Sequence, residues 1–450
     1  MKYNKKIKLI TKKEQQLQLD SQSKMCNWLY NQLFQLVEQD YVNGHAHKFL
    51  FGRNLRNQVP AFKQQHPFLY KVHSSPLKNV ALRLKDAYDR WLNPELDNEK
   101  PHFRSWKKKW FSLLYDEPNK GFKMLDSTTL QVSFGKLSDE EYQEQKKKDK
   151  SVKKQITVTV ELAEPLVLEE TEVIKTLRII KDLDRYYVVF TIENKREVAL
   201  VKEQTYISFD PNHKNLAVGI DNEGRTYELQ RITSVLQYWD KRIDQVKSKR
   251  DKCQKQSRLV ITPHTEYWKP SPRWERLNRV VEKAYLKRRE QIKLILYRYA
   301  HYFSRKYDTI IIGDYTPTVD VAEHDHMHRA MLNQTPIGQF RTILKWIQEK
   351  NGKHFMKVDE RNSTKECCYC GTEEEKNPEI RVFTCTNCNY TFYRDINSSV
   401  NHTRKAKKIL PRTGYIGVEH PMYMVWWDWK RGKLSRGKFP APAKGNKSLG

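Results

Sequence analysis

Cys367 and Cys370 make one C-x-x-C pair and Cys385 and Cys388 a second, with fourteen residues between the pairs. Four thiolates on two such knuckles meet the tetrahedral demand of Zn²⁺. Cys368 lies inside the first knuckle and is the odd one out. Cys370 is preferred as ligand because Cys370-Gly371 parallels Cys388-Asn389. Each knuckle needs a residue after its second cysteine that tolerates a left-handed backbone, and Gly and Asn both do. A four-cysteine site has no open coordination position, so this zinc is expected to be structural. Chemistry must then come from the carboxylates around the ribbon. Glu360 precedes it and Asp395 follows it, while Asp210 and Asp314 each follow a short β-rich run. Two-metal phosphodiester hydrolysis needs such carboxylates gathered at one sheet edge, holding Mg²⁺ ions roughly 3.5–4 Å apart. Asp210 is expected to end a strand. Asp395 is expected to begin a helix, where the N-terminal dipole favours an anion. The third carboxylate is Glu360 or Asp314. Gly313 stands at the usual place, the end of the fourth strand; Glu360, at the end of the fifth, sits one strand further out and needs its longer side chain to reach, and it is preferred over Asp314.

These positions require a particular sheet. Tyr206–Asp210, Leu216–Ile220 and Arg225–Leu229 read as three strands joined by the turns Pro-Asn-His-Lys-Asn and Asp221-Asn-Glu-Gly224. Residues 232–253 and 274–307 read as Lys/Arg-rich helices around a Pro-rich loop. Thr309–Ile312 reads as a buried fourth strand. A helix over 340–349 leads to a fifth strand, Phe355–Val358. Strand order 3-2-1-4-5 is expected, the arrangement of an RNase H-like α/β fold. Between them, residues 316–338 carry His324, His326 and His328, read as a polar loop rather than a metal site.

The first part of the chain has a different texture. Met1–Ile10 and several runs between residues 121 and 200 alternate or are β-rich, predicting a small antiparallel barrel. Thr11-Lys-Lys-Glu14 has a capping-box pattern. It should open a helix with Met25, Trp28, Leu29, Leu33, Leu36 and Val37 on one face. Ser74-Ser75-Pro76 should open another, with a buried stripe of Leu77, Val80, Ala81, Leu84 and Tyr88. Residues 12–120 are thus a helical insertion in the barrel. Lys146–Lys154 is expected to be a solvated hairpin tip.

Composition names the kind of partner. Among 450 residues there are 83 Lys plus Arg and 54 Asp plus Glu, a formal charge of +29. That excess implies a polyanion bound partly through counterion release. Twenty-four Tyr and eleven Trp are available to stack on unpaired bases. The basic, aromatic stretch His102–Phe111 suits either that task or a solvated helix face. Seven Cys, four of them in a zinc pattern, suggest a reducing compartment. No apolar run approaches the roughly 18 residues of a membrane span, and the N-terminus lacks an apolar signal region.

Taken together, the chain resembles the TnpB-type proteins of insertion sequences, RNA-guided DNA endonucleases related to compact type V CRISPR effectors and to Fanzor. The residues that carry this are Thr-Lys-Lys-Glu14, Ser-Ser-Pro-Leu77, Asp210-Pro-Asn-His-Lys-Asn-Leu-Ala217, Val358-Asp-Glu-Arg-Asn-Ser-Thr-Lys365 and Arg394-Asp395-Ile-Asn397-Ser-Ser399. The resemblance implies a wedge-type barrel (1–11 and 121–203) interrupted by a helical recognition lobe (12–120). It implies a RuvC nuclease domain (204–365 and 390–410) holding a zinc ribbon (366–389) that binds target nucleic acid. A basic tail (411–450) remains unplaced, as either a nucleic-acid-binding extension or a docking segment. The implied partners are a guide RNA and double-stranded target DNA, without a membrane, in the prokaryotic cytoplasm, as monomer or dimer. The implied cofactors are two Mg²⁺ on Asp210, Glu360 and Asp395 and a structural Zn²⁺ on the four cysteines. Lys78, Asn79 and Arg83 fall where the family reads a motif beside its target. Lys214, Asn215 and Arg394 are further expected nucleic-acid contacts. Gly313 departs from the Glu usual in the family. Glu360 stands where others have Pro, as in members whose Glu is displaced to just before the cysteines. Two rivals remain: an RNA-guided repressor that does not cut, and an RNA-independent zinc-ribbon DNA binder.

Overall fold

The structure, a computed structural model, describes residues 1–44, 48–105, 110–195, 199–212, 215–230, 232–262, 265–315, 336–377, 380–408 and 420–439. His324, His326, His328, Lys214 and part of the His102–Phe111 stretch lie outside the described residues. The chain divides into two units, Met1–Glu197 and Val198–Gly450. Among the described residues no helix is long and apolar enough to cross a membrane.

The first unit runs β1 (Lys2–Ile10), α1 (Lys13–Val42), α2 (Asn54–Asn57), α3 (Val59–Gln65), α4 (Ser74–Leu92), β2 (Ser112–Tyr115), β3 (Phe122–Met124), β4 (Thr129–Lys136), α5 (Asp139–Lys148), β5 (Gln155–Leu162), β6 (Glu172–Asp182) and β7 (Arg185–Asn194). Its sheet has the order β2-β6-β7-β1-β5-β4-β3, with every pairing antiparallel. β1 pairs β7 over Lys2–Lys8 and β5 over Leu9–Ile10, so one strand joins two half-sheets. Among the described residues β2 and β3 do not pair, so the expected barrel is an open sheet. The stripe expected on α4 is buried throughout, while on α1 Leu29, Leu33 and Val37 are buried and Met25, Trp28 and Leu36 only partly so.

Several local expectations are corrected. β2 lies inside the stretch assigned to helices. The α1 capping interaction is one residue later than expected, with the Lys12 N–H donating to Gln15 Oε1 at 2.6 Å. The lysine run after residue 145 ends helix α5, which is capped at Ser138, because the acidic residues Asp139–Glu141 suit a helix N-terminus.

The second unit runs β8 (Tyr206–Pro211), β9 (Ala217–Asp221), β10 (Thr226–Leu229), α6 (Thr233–Lys252), β11 (Arg258–Thr262), β12 (Thr265–Lys269), α7 (Pro272–Lys306), β13 (Thr309–Gly313), α8 (Ile337–Lys350), β14 (His354–Val358), β15 (Val382–Thr384), β16 (Thr391–Tyr393), α9 (Arg394–Lys405), β17 (Tyr423–Asp428) and β18 (Lys433–Lys438). The sheet order is β14-β13-β8-β9-β10-β17-β18. Its first five strands have the expected 3-2-1-4-5 order, with β14, β13 and β8 parallel and β8, β9 and β10 antiparallel. The Pro-rich loop holds the hairpin β11–β12. The unplaced tail contributes β17 and β18, a hairpin whose first strand runs parallel to β10 and widens the sheet.

Both faces of this sheet are covered, and β13 shows it directly. Ile310 and Ile312 pack with Phe303, Phe340 and Leu344 from α7 and α8, whereas Ile311 joins a separate cluster with Val358 and Ala406. Alternate side chains of a strand point to opposite faces, so a strand buried on both reads as a continuous apolar run. α9 covers β9 on the second face, through Ile396 and Val400 against Val218 and Ile220.

One polar knot ties the β9–β10 turn to the end of α7. Asp221 is fully buried. Its Oδ2 accepts from the Tyr307 hydroxyl at 2.8 Å and Arg225 Nε at 2.8 Å, while its Oδ1 accepts from the backbone N–H of Glu223 and Arg225. Asp221→Ala leaves these donors without their acceptor, at a cost of about 3 kcal/mol. Urea unfolding monitored by tryptophan fluorescence should show a correspondingly lower midpoint, and an unchanged midpoint would contradict this account.

Candidate metal centre

β8 carries Asp210 to the sheet edge, where it is 6% exposed. Ser398 on α9 donates to its Oδ1 at 3.1 Å. Glu360 arrives from the segment after β14. A carboxylate oxygen of Asp210, one of Glu360 and a ring nitrogen of His402 all lie within 4.8 Å of one another. His402 was missed in the sequence. It sits on α9 two turns beyond Asp395, and a lone histidine in a polar run gives no signal until its helix is placed.

Glu360 reaches this cluster because Gly313 has no side chain. A Cβ on Gly313 would lie 1.9 Å from Glu360 Oε1 and 2.5 Å from its Cγ. The carboxylate from the fifth strand therefore occupies the space over the end of the fourth. Asp314, the other candidate, is not in the cluster; its Oδ1 accepts the Glu360 backbone N–H at 3.2 Å. Glu360 Oε1 is buried with no hydrogen-bond partner among the described residues. Burial raises the Glu360 carboxyl to about 7, and the adjacent Asp314 charge adds to this. Burial, then the charges of Asp395 and Glu360, push Asp210 well above the usual carboxylate range. Anionic oxygens crowded and dried in this way are the donor set that a hard cation relieves.

Asp395 is close enough to Asp210 to act on its charge but is not in the 4.8 Å cluster. It is 1% exposed, and Arg381 Nη1 contacts both its oxygens, at 2.7 and 2.5 Å. Asn212 donates to Oδ2 at 3.1 Å and Arg394 Nε to Oδ1 at 3.3 Å. Arg394, expected as a nucleic-acid contact, is thus turned inward. Asn215 is also buried, its N–H donating to Asn212 Oδ1 at 2.8 Å. In the first unit, Lys78, Asn79 and Arg83 are half-buried on α4.

His402 is fully buried. Its Nδ1 lies 3.1 Å from the Phe209 carbonyl oxygen, and its Nε2 has no partner among the described residues. Burial lowers it to about 4, so the ring is neutral near pH 7.

The four cysteines form a second cluster, all four sulfurs within 4.8 Å of one another. Cys367 and Cys388 Sγ are 3.7 Å apart, and Cys370 and Cys385 Sγ 3.6 Å. Tetrahedral bonds of about 2.3 Å to Zn²⁺ separate sulfurs by about 3.8 Å, so the donors fit that ion. Gly371 and Asn389 adopt φ of 79° and 57°, the left-handed backbone expected after each knuckle. Cys368 points elsewhere, fully buried, with its N–H donating to Asn397 Oδ1 at 2.8 Å.

α9 binds the two clusters together. Asn397 and Asn401 Nδ2 both donate to the Ser363 and Glu366 carbonyls, between Glu360 and the first knuckle. Lys405 Nζ donates to the Asp359 carbonyl at 2.8 Å and also to that of Arg361.

Residues 338–402, which span Glu360, the four cysteines, Asp395 and His402, match the family described as Cas12f1-like, TNB domain. The fold is similar to that of a protein solved in a Cas12f1-sgRNA-target DNA complex, with a TM-score of 0.56 at 13% identity over 88% of this chain and 83% of that one. The mini-RNA-guided endonuclease CRISPR-Cas_phi3 aligns with a TM-score of 0.47 at 10% identity, over 92% and 93% of the two chains. No curated protein matches the chain in sequence.

Two outcomes follow from this geometry. Gly313→Ala should displace Glu360 and weaken Mn²⁺ or Mg²⁺ binding by tenfold or more, on the order expected for a disturbed ligand. Calorimetric titration of the folded variant checks this, and unchanged affinity would contradict the placement of Glu360. The second outcome concerns pH. A carboxyl whose folded pKa lies near 7, above its ordinary 4.5, binds more protons folded than unfolded between those values. Its stabilising effect is therefore lost as pH rises through that window, by roughly 3 kcal/mol for Glu360 alone. Urea unfolding at pH 5.5 and 8, in magnesium-free buffer with zinc retained, should show this fall. Added Mg²⁺ should reduce it.

Proposed function

We propose that the chain is an RNA-guided DNA endonuclease of the compact type V kind, with a RuvC-type site on the β8–β13 edge. The observation that carries this is the meeting of Asp210 and Glu360 on one sheet edge, with a buried Glu360 oxygen left unpaired. The similar fold solved with guide RNA and target DNA, and the charge of +29, support a nucleic-acid substrate. In this reading the first unit is the wedge-type sheet with its helical recognition lobe, and Lys78, Asn79 and Arg83 face the motif beside the target. The TnpB-type resemblance of the motifs stands within the same reading.

Asp210, Glu360 and Asp395 would hold Mg²⁺, and the four cysteines Zn²⁺. Bound Mg²⁺ supplies an activated water and stabilises the leaving oxygen. The chain's own residues set the geometry. Ser398 orients Asp210, Asp314 fixes the Glu360 backbone, and Gly313 clears the space for its carboxylate. Arg381 neutralises Asp395 and must shift if that carboxylate is to take a cation. The zinc knuckles, tied to α9 through Asn397 and Cys368, hold the segment that delivers Glu360.

A second reading, a guide-dependent binder that does not cut, draws on the same Arg381 contact, since a guanidinium on both Asp395 oxygens occupies a cation's place. The two readings separate in one experiment. The protein is expressed with its flanking DNA, bound RNA is recovered, and matched double-stranded DNA is added in Mg²⁺. Wild type should cut. Glu360→Gln should lose about 10²–10³ in rate or more, because several kcal/mol of charge stabilisation go with the metal. Asp314→Asn should keep most of the activity. Loss in the Asp314 variant alone would assign the role to that residue. Tight target binding without cutting, across randomised flanking motifs, would establish the binder. Copurification of no discrete RNA would overturn both.

A further inference from the structure

We propose that His402 is a direct metal ligand of this centre through Nε2, so that the cation beside Asp210 and Glu360 is held by an imidazole as well as by carboxylates. The inference rests on the reading of Asp210 and Glu360 as cation ligands and adds a donor of a different kind to it.

Three observations converge on the ring. His402 is fully buried and one of its nitrogens is within 4.8 Å of ligand oxygens of both Asp210 and Glu360. Its Nδ1 is engaged by the Phe209 carbonyl at 3.1 Å, an acceptor, so Nδ1 carries the proton and Nε2 presents a lone pair. That Nε2 is buried with no partner among the described residues, and so is Glu360 Oε1. With Glu360 ionised, both are acceptors and cannot satisfy each other, whereas a cation satisfies both.

The orientation also has the usual form for a ligating histidine, whose second nitrogen donates to a backbone carbonyl that sets its tautomer and angle. Here that carbonyl belongs to Phe209, the residue before Asp210. Strand β8 therefore both supplies a carboxylate ligand and aims the imidazole. On α9, His402 lies one turn beyond Ser398, the donor to Asp210. A buried apolar residue would fill the same volume without an unpaired acceptor.

An imidazole changes the choice of cation. Oxygen-only sites suit Mg²⁺, whereas a nitrogen donor raises affinity for transition ions such as Mn²⁺ more than for Mg²⁺. The centre is accordingly expected to prefer Mn²⁺ over Mg²⁺, and His402→Leu should narrow that preference by about tenfold or more.

The test uses the full chain, zinc-loaded, with Mn²⁺ as the probe and electron spin-echo envelope modulation as the readout. Bound Mn²⁺ should show ¹⁴N modulation from a directly coordinated imidazole. The pattern should change to that of ¹⁵N when only histidine is ¹⁵N-labelled. This comparison needs no variant and so does not depend on one that fails to fold. In His402→Leu the modulation should vanish while the zinc content stays the same. Mn²⁺ binding that is lost in Glu360→Gln but shows no histidine nitrogen would overturn the proposal and leave the carboxylate site standing. Histidine modulation that persists in His402→Leu would assign it to another residue and overturn the proposal as well. Mn²⁺ binding unaffected by Glu360→Gln and Asp210→Asn would remove the carboxylate site and His402's role together.

Discussion

Everything near the centre depends on a helix that hides its polar side. α9 buries Asp395, Asn397, Ser398, Ser399, Asn401, His402 and Thr403, each at 1% exposure or less. Such groups are costly to bury unless they are hydrogen-bonded. Asn397 and Asn401, one turn apart, meet this condition at their Nδ2 groups, which donate to the same two carbonyls, Ser363 and Glu366. Ser399 does so by donating to the Val218 carbonyl at 2.9 Å, on β9. The helix is thus fixed in rotation about its own axis. That rotation decides where Asp395, Ser398 and His402 face, since residues three, four and seven apart share a side. The cysteine knuckles bear on the centre through the same contacts, because the two asparagines hold the segment that leads into the first knuckle.

The second constraint is a matter of volume. A carboxylate at the end of β13 and one arriving from beyond β14 compete for a single space. With glycine at 313 the latter has it. The longer side chain of Glu360 spans the extra strand, and Asp314, which lies beside it, serves as a backbone anchor. A sequence comparison that looks for an acid at 313 finds only a gap, while the space itself is filled.

Much of this was legible before the structure. The five strands read in their observed order because β8, β9 and β13 are apolar runs closed by turn residues, a pattern with few alternatives. The knuckles read well because Gly371 and Asn389 answer a backbone demand that few residues meet. The polar face of α9 was not legible, since amphipathic reasoning places Asn, Ser and His toward water and only the partner carbonyls reverse that. His402 was missed for this reason. The hairpin β17–β18 was missed because its partner β10 lies some two hundred residues earlier, beyond the reach of any local pattern. The inward turn of Arg394 was hidden too, since its charge reads equally as a phosphate contact.

The pairing of β17 with β10 bears on how the protein is made. A ribosome delivers β8 and β9 early, but Glu360, the knuckles and α9 emerge long afterwards, and β17 later still. Contacts across such separations carry the largest loop-closure cost and form last. While it is being synthesised the chain therefore has an incomplete sheet, with the β10 edge open and Asp210 without its companions. A fragment released by premature termination before residue 395 has the same deficit. A chain cut before residue 395 lacks α9, and with it Asp395, Ser398 and His402.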